Sequence, residues 1–387
     1  MPASDAPVLV TGAAGHVGAN LVHRLVGEGQ RVRVLLRAEE NNEAVEGLPR
    51  DLLEKSFGDL RDPGSLREAV KGCKGVYHVA SMVSTIDGDA EHRRTIYDVN
   101  VLGTRHLLRE AKEAGVERFV LTSSFSAVGY DLDQTDRPAT EDMQFYPYHR
   151  AMPYERSKVL QEHELLKAVV EGFDALIVTS CAVVGGHDYL PSRMGRTLCK
   201  FANGELNAYV PGGFEFVAAQ DIVAGHLLAM EKGRTGQKYV IATQFMTLDD
   251  IFDIFQELTG QPRPRFKLPS KVLLPVAEAL SWSLYRLNPR FPQLLTPGAI
   301  RRLQLRRHAD TTKARQELGF RPSKIEDAFA EAYRFHWERG AITNPAAKAP
   351  PPAPSRAPPA IPTRESGLPA VWPAPASPRA VRRRRSS

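Results

Sequence analysis

The sequence predicts an α/β protein with a doubly wound parallel sheet and a smaller, mainly C-terminal α/β part closing over the sheet edge. Three observations predict it. Apolar strand-like runs alternate with amphipathic helix-like runs from Val8 to Thr179. A glycine-rich turn, Gly12 to Gly18, joins the first strand to the first helix. The alternation changes character after about Gly185. Parallel strands need long crossovers, and helical crossovers cover both faces of the sheet, so the strands are continuously apolar.

The elements follow in order. Val8–Val10 reads as a buried strand. Ala19–Glu28 is a helix with Leu21, Val22 and Leu25 on one face, ended by Gly29, and Arg31–Arg37 is a second strand. Leu52–Phe57 is a third strand. Asp62 to Ser65 leads into a helix at Leu66–Val70, and Val76–Ala80 is the next strand. Tyr97–Ala114 is a helix, Arg118–Ser123 a strand, Tyr154–Val170 a helix and Asp174–Thr179 a strand. Beyond the change of rhythm, Pro191–Asn203 reads as a helix and Glu205–Val210 as a short strand, with Pro211-Gly212-Gly213 as a turn. Asp221–Glu231 is a helix and Lys238–Ala242 a strand. Thr247 caps a helix over Leu248–Leu258, with Asp250 as the acidic partner of a capping box. Gln261–Leu268 is loop, Lys271–Leu287 an apolar helix, and Ile325–Trp337 the last helix. The expected division is 1–185, 186–340 with some segments returning to the first domain, and 345–387.

The chain has 387 residues, long enough for two domains sharing a core. Apolar residues make up 42% and charged residues 25%, as in globular proteins. Its three cysteines, at 73, 181 and 199, form no CxxC pair, which excludes a cysteine-based zinc module and a disulfide scaffold. The histidines are scattered, and no metal is expected. The formal net charge is +6, but 345–387 holds eight Lys/Arg and one acid, so residues 1–344 carry about −1. That leaves no basic folded face for nucleic acid. The same segment has twelve prolines in 43 residues and is expected to be disordered. Met1–Pro7 is polar, and the apolar run after it is too short for a signal core, so a cytoplasmic protein is expected.

Gly12, Gly15 and Gly18 are spaced GxxGxxG between strand and helix. Gly12 permits the tight turn. Gly15 keeps a Cβ out of the path of a diphosphate, so backbone N–H groups of the turn and of His16 and Val17 can face it. Gly18 lets helix approach strand. This points to a dinucleotide. The second strand ends in Arg37 with no carboxylate before Glu39, which favours a 2′-phosphate, hence NADP over NAD, unless Arg37 is simply a solvated strand end. Asp59 and Leu60 follow the third strand, where Asp59 either approaches an adenine amine or caps the next turn. Ala80 and Ser81 are small residues at a strand end, where a nicotinamide ribose can lie close. His78 reads as a packed strand residue rather than a base.

Tyr154 and Lys158 are four apart at a helix start and share a face. A nearby ammonium draws a phenol toward working pH, and such a phenol gives or takes the proton of a carbonyl/alcohol pair. Thr122-Ser123-Ser124 ends a buried strand some thirty residues earlier. A serine there can hydrogen-bond the reacting oxygen, Ser124 being preferred and Ser123 second.

With these residues in view, the chain resembles the extended short-chain dehydrogenase/reductase superfamily. More narrowly it resembles the NAD-dependent epimerase/dehydratase family, near its 3β-hydroxysteroid dehydrogenase, dihydroflavonol reductase and hopanoid-associated sugar epimerase branches. TGAAGHVG at Thr11–Gly18, GDL at Gly58–Leu60, HVA at His78–Ala80, NVLGT at Asn100–Thr104, TSS at Thr122–Ser124 and YERSK at Tyr154–Lys158 carry the likeness over about residues 7 to 340. The resemblance implies a Rossmann-type fold, Ser124, Tyr154 and Lys158 as catalytic triad, Asn100 as a brace of the central helix and an active-site water, Asp59 and Leu60 as adenine contacts, and a homodimer. The chain departs from the family pattern at Thr179-Ser180, at Gly185-Gly186, and at Phe216–Asp221, which lacks a histidine before the aspartate.

The expected reaction interconverts a secondary alcohol and a ketone or aldehyde with NAD(P). The alternative is epimerisation or dehydration of a nucleotide sugar, for which Arg193, Arg196 and Lys200 are available to a diphosphate. A non-catalytic dinucleotide sensor is a third reading. His187, Asp188 and Tyr189 are expected at the pocket entrance. Met143, Phe145, Tyr146 and Tyr148 stand on a loop that can cover an apolar carbonyl compound. Lys271–Leu287 is too short and too interrupted by charge to span a membrane; it reads as an ordinary domain helix, with a peripheral membrane contact or a hydrophobic substrate entrance as the alternative.

Overall fold

The computed structural model describes residues 6–131, 133–134, 137–145, 148, 151–269 and 297–352, with 297–299 as backbone only. Seven parallel strands form the main sheet: β1 (Val8–Thr11), β2 (Val32–Leu36), β3 (Leu53–Phe57), β4 (Gly75–His78), β5 (Arg118–Ser124), β6 (Ala175–Ser180) and, beyond several intervening elements, β10 (Lys238–Ile241). Their spatial order is β10-β6-β5-β4-β1-β2-β3, every pair parallel. The chain reverses direction across the sheet between β1 and β4, so the carboxyl ends of those strands open a crevice there. The helices that make the crossovers are α1 (His16–Gly27), α2 (Pro63–Val70), α3 (Ala90–Tyr97), α4 (Gly103–Glu113) and α5 (Pro153–Val170). Leu9, Leu66, Leu107, Phe119, Leu165 and Ile177 pack one core between sheet and helices.

The local reasons are visible. Asp62 caps α2, its carboxylate accepting from Gly64 N at 3.0 Å, with Pro63 in the first turn. α3 lay outside the sequence reading, which began its helix at Tyr97. Asp89 caps α3, accepting from His92 N at 2.7 Å, but only Ile96 of α3 is buried, so no apolar stripe advertised it. Asp98–Leu102 then forms a π turn that joins α3 to α4 and buries Asn100.

The second part contains β7 (Ala182–Val184), α6 (Arg193–Ala202), β8 (Ala208–Tyr209), β9 (Gly213–Ala218), α7 (Ala219–Lys232), β11 (Gln244–Thr247), α8 (Leu248–Thr259), β12 (Phe266–Lys267), α9 (Pro297–Leu305) and α10 (Ile325–Glu338). β11, β9 and β7 make a three-stranded sheet, and β12 pairs with β8. Gly213, expected in a turn, starts β9 instead, because its backbone pairs with Thr247 of β11. The capping box at Thr247 and Asp250 is present, with Thr247 N donating to Asp250 Oδ2 at 2.9 Å. An aromatic core joins α6, β9, α8 and α10: Phe201 stacks on Phe252 at 5.7 Å, and Phe255 meets Phe329 edge-on at 5.6 Å.

Residues 345–352, the start of the segment expected to be disordered, touch the fold at a few points and are otherwise mostly exposed. Ala347 is buried in the aromatic core, Tyr333 Oη donates to Lys348 O at 2.6 Å, and Arg334 donates to Pro351 O. Composition signals disorder only where the chain has no apolar surface to lie on. Residues 353–387 and Lys271–Leu287 lie outside the described residues. Among the described residues no helix is long and apolar enough to cross a membrane.

Candidate active site

The glycine turn lies at the carboxyl end of β1. Gly12 has φ +71°, and a Cβ there would stand 2.7 Å from the Ala80 backbone. A Cβ on Gly18 would overlap the Gly12 carbonyl. Gly15 occupies the cap position of α1 and brings no side chain to its N–H groups. The turn is thus a backbone cradle at a helix N-terminus, a place that can hold a diphosphate, and it is too tight at Gly12 and Gly18 for a larger residue.

The flanking residues sort into two groups. Ala80 and Ser81 sit beside the turn: Ala80 N donates to Thr11 Oγ1 at 3.2 Å, and Ser81 Oγ donates to Asn100 Oδ1 at 3.2 Å. Val17 and Leu60 belong to the same end of the sheet, Leu60 being buried under α4. Asp59 is gripped by Arg61 through two bonds of 2.7 and 2.9 Å, which hold its carboxyl at about 2. Arg37, directly after β2, pairs with Glu40 at 2.6 Å and stands 3.7 Å from Asp59, half exposed. His16 takes a different position. Its side chain turns toward the second part, Nε2 donating to Gly186 O at 3.0 Å and Nδ1 lying 3.8 Å from Asp188, so only its backbone faces the cradle.

Tyr154 and Lys158 open α5, and both are buried. Ser124, at the end of β5, is the hydroxyl neighbour that favours the Tyr154 phenolate. Ser123 points away, donating to Glu162 Oε1 at 2.6 Å, and Glu162 in turn pairs with Lys238 at 2.5 Å. The geometry therefore separates the two serines: Ser124 shares the site with Tyr154, and Ser123 is committed to an ion-paired carboxylate. Asn100 braces α5, donating to Ser157 Oγ at 2.9 Å and accepting from Met82 N at 2.8 Å.

Burial dominates the electrostatics of the pair. It raises the Tyr154 phenol above its ordinary value, partly offset by Ser124 and Arg302. Burial also pulls the Lys158 ammonium down to about 7, against the attraction of Glu162. Lys158 Nζ donates to Thr122 O at 3.0 Å and Gln161 Oε1 at 2.9 Å rather than to the phenol. A spacing of four residues gives a shared helix face, not a contact.

Around the site, Arg307 donates to the Val128 and Gly129 carbonyls and lies over the Phe125 ring at 4.5 Å. Arg302 pairs with Glu155 at 2.8 Å. Neither arginine stands in a recognisable sequence pattern. Arg193 and Arg196 lie on α6, where Arg193 bonds Thr85 and Arg196 bonds Pro191 O. Of the expected entrance residues, Asp188 is instead fully buried, between His16 and His336, and His187 (φ +52°) stacks on His23 at 4.0 Å. Asp221, retained where the histidine is missing, accepts from Ser323 N and Thr243 Oγ1 and ties the α7 start to 323. Met143 packs in a small cluster with Val128 and Ala139, Phe145 meets Tyr148, and Tyr146 lies outside the described residues. Among the described residues no cluster of three metal-ligating side chains occurs.

Comparison with known proteins gives the family. Residues 8–242 match the model of the NAD dependent epimerase/dehydratase family. The chain is 41% identical over 334 residues to sterol demethylase protein B of Methylococcus capsulatus, covering 86% of this chain and 99% of that protein. It is 29% identical over 337 residues to a 3 beta-hydroxysteroid dehydrogenase/Delta 5-->4-isomerase of Mycobacterium tuberculosis, covering 81% and 86%. The crystal structure of gox2253 superposes with a TM-score of 0.74 at 32% identity, covering 87% of this chain and 99% of that one.

Proposed function

The chain belongs to the NAD dependent epimerase/dehydratase family, a family of oxidoreductase-type enzymes, and from that premise we propose that it reversibly oxidises a secondary alcohol on an apolar, ring-bearing substrate. The observation that carries this reading is the juxtaposition of the buried Tyr154 phenol with Ser124 at the end of β5, with Lys158 one helical turn further along α5. Tyr154 takes the alcohol proton as the carbonyl forms and returns it in reduction. Ser124 donates to the same oxygen and stabilises its developing charge. Lys158, with two of its three N–H groups given to Thr122 and Gln161, retains one donor for a ribose hydroxyl. The nicotinamide, when bound, accepts or supplies the hydride. Gly12, Gly15 and Gly18 would hold its diphosphate, and Asp59, Leu60, Ala80 and Ser81 its two nucleoside ends.

The steroid and sterol names of the relatives at 29% and 41% identity support an apolar polycyclic alcohol. Arg37 supports NADP as the preferred form, a 2′-phosphate taking the place of Glu40. A second reading, epimerisation of a nucleotide sugar, draws on Arg193 and Arg196, three apart on α6, as diphosphate donors. The test is purification followed by identification of any retained dinucleotide, then assay with a 3β-hydroxysteroid. Protein without bound dinucleotide that reduces added NAD(P)⁺ with the steroid supports the first reading. Tightly retained NAD, with no net reduction, supports the second.

A further inference from the structure

We propose that Gln161 is a positioning residue that aims the Lys158 ammonium, and that it does so through a buried hydrogen-bond chain running back to the glycine turn. The proposal rests on the dinucleotide reading above and deepens it.

The chain of bonds has one consistent set of directions. Thr104 Oγ1 donates to Asn100 O at 2.7 Å, which uses its single proton. The same oxygen lies 2.7 Å from Gln161 Nε2 and 2.8 Å from His78 Nε2, so both nitrogens must donate to it. His78 Nε2 therefore carries its proton, and His78 Nδ1 accepts from Thr11 Oγ1 at 2.7 Å. With its NH₂ committed to Thr104, Gln161 can present only Oε1 to Lys158, at 2.9 Å. Reversing the carboxamide would put an N–H donor against an ammonium. Thr11, at the end of β1 just before Gly12, is thus joined to Lys158 through His78, Thr104 and Gln161, all five fully buried.

Inside the protein such a network gains from low polarisability of the surroundings and loses heavily when one member is left unpaired. Gln161 gives the ammonium a neutral acceptor that a hydrocarbon side chain would not. The titratable and charged groups facing Lys158 are Glu162 on α5 and His78 on β4, with Glu162 in turn paired to Lys238 of β10. His78 is held neutral by burial and by Lys158 itself, so it neither competes for nor supplies a charge.

The test uses the full chain with NADPH and NADH as probes, their affinities measured by fluorescence titration across about pH 5.5 to 9, alongside thermal melting. The wild type is expected to lose affinity as Lys158 loses its proton. In Gln161→Leu the break moves down by about one pH unit, equivalent to about fivefold weaker binding at the wild-type midpoint. In Gln161→Glu it moves up, because a carboxylate keeps the acceptor and adds opposite charge. Opposite shifts support the proposal. A purely structural glutamine would lower the melting temperature of both variants and leave the three breaks superimposed, which overturns it. If Gln161→Leu does not fold, the upward shift in Gln161→Glu decides alone. Failure of the wild type to bind either dinucleotide sinks the cofactor reading itself, and the inference with it.

Discussion

Two buried histidine clusters flank the glycine turn, and they solve opposite problems. On the sheet side, His78 is neutral, held down to about 3 by burial and by the charge of Lys158, and each of its ring nitrogens has a partner. On the side of the second part, His336 is buried as deeply, yet is raised to about 9: against the burial, the nearby Asp188 carboxylate and Cys199 favour the charged ring. There the pairing is loose. His336 Nε2 stands 3.6 Å from Asp188 Oδ2 and His16 Nδ1 stands 3.8 Å from Oδ1, and neither nitrogen makes a close hydrogen bond. Burial alone therefore does not set the charge of an imidazole. Where neutral acceptors and donors close the network, the ring stays neutral and fixes geometry. Where a carboxylate stands among them, the ring is charged and stability becomes a function of pH.

The largest expected effect separates the two clusters by function. Lys158→Met should lower turnover by about 10²–10⁴-fold while leaving the cluster around Asp188 intact, as judged by an unchanged pH dependence of thermal unfolding. A loss of less than about tenfold would detach Lys158 from the chemistry.

Asp188→Asn addresses the other cluster. A histidine raised from 6.5 to about 9 contributes stability that is fully present below its unfolded value and is lost as pH rises through the folded one. The wild type should thus lose about 3 kcal/mol of this contribution between pH 6.5 and 9, an upper figure for a deeply buried pair. The variant should be less stable at pH 6.5 and nearly flat over that window. Denaturant melts at several pH values check it, and parallel curves for the two proteins would contradict it.

Smaller effects test the turn that both clusters border. Gly12→Ala forces a side chain into left-handed backbone at φ +71° and against Ala80, and should cost about 1–2 kcal/mol plus most of the dinucleotide affinity. Unchanged affinity by titration would mean the diphosphate lies elsewhere. Arg37→Ala should weaken NADPH binding about tenfold and NADH binding by less than about twofold. Equal losses would assign Arg37 a structural part.

How much was legible in the sequence follows from which interactions are local. The parallel strands showed themselves because both faces are covered, and Val8–Thr11 and Ala175–Ser180 are buried at every residue. The glycine turn and the Tyr154–Lys158 pair were readable because their partners lie within a few residues. β7, β9 and β11 were not read as strands: β7 and β11 have three and four residues, and Phe214 and Phe216 of β9 face a core assembled from α6, α8 and α10. Gln161 could not be singled out either. Its partner Thr104 is 57 residues away, and no spacing rule links the two. Asp188 and His336 are as remote from one another. Sequence spacing put Lys158 beside Tyr154, whereas the fold spends the ammonium on Thr122 and Gln161.

The most direct measurement of the central claim is single-turnover hydride transfer from a 3β-hydroxysteroid to NAD(P)⁺ by wild type and Tyr154→Phe. The reduced dinucleotide is followed optically, and its affinity is determined in parallel. The account predicts that Tyr154→Phe binds the dinucleotide within about threefold of wild type and transfers hydride at least about 10²-fold more slowly. A phenylalanine variant that transfers hydride at the wild-type rate would contradict it.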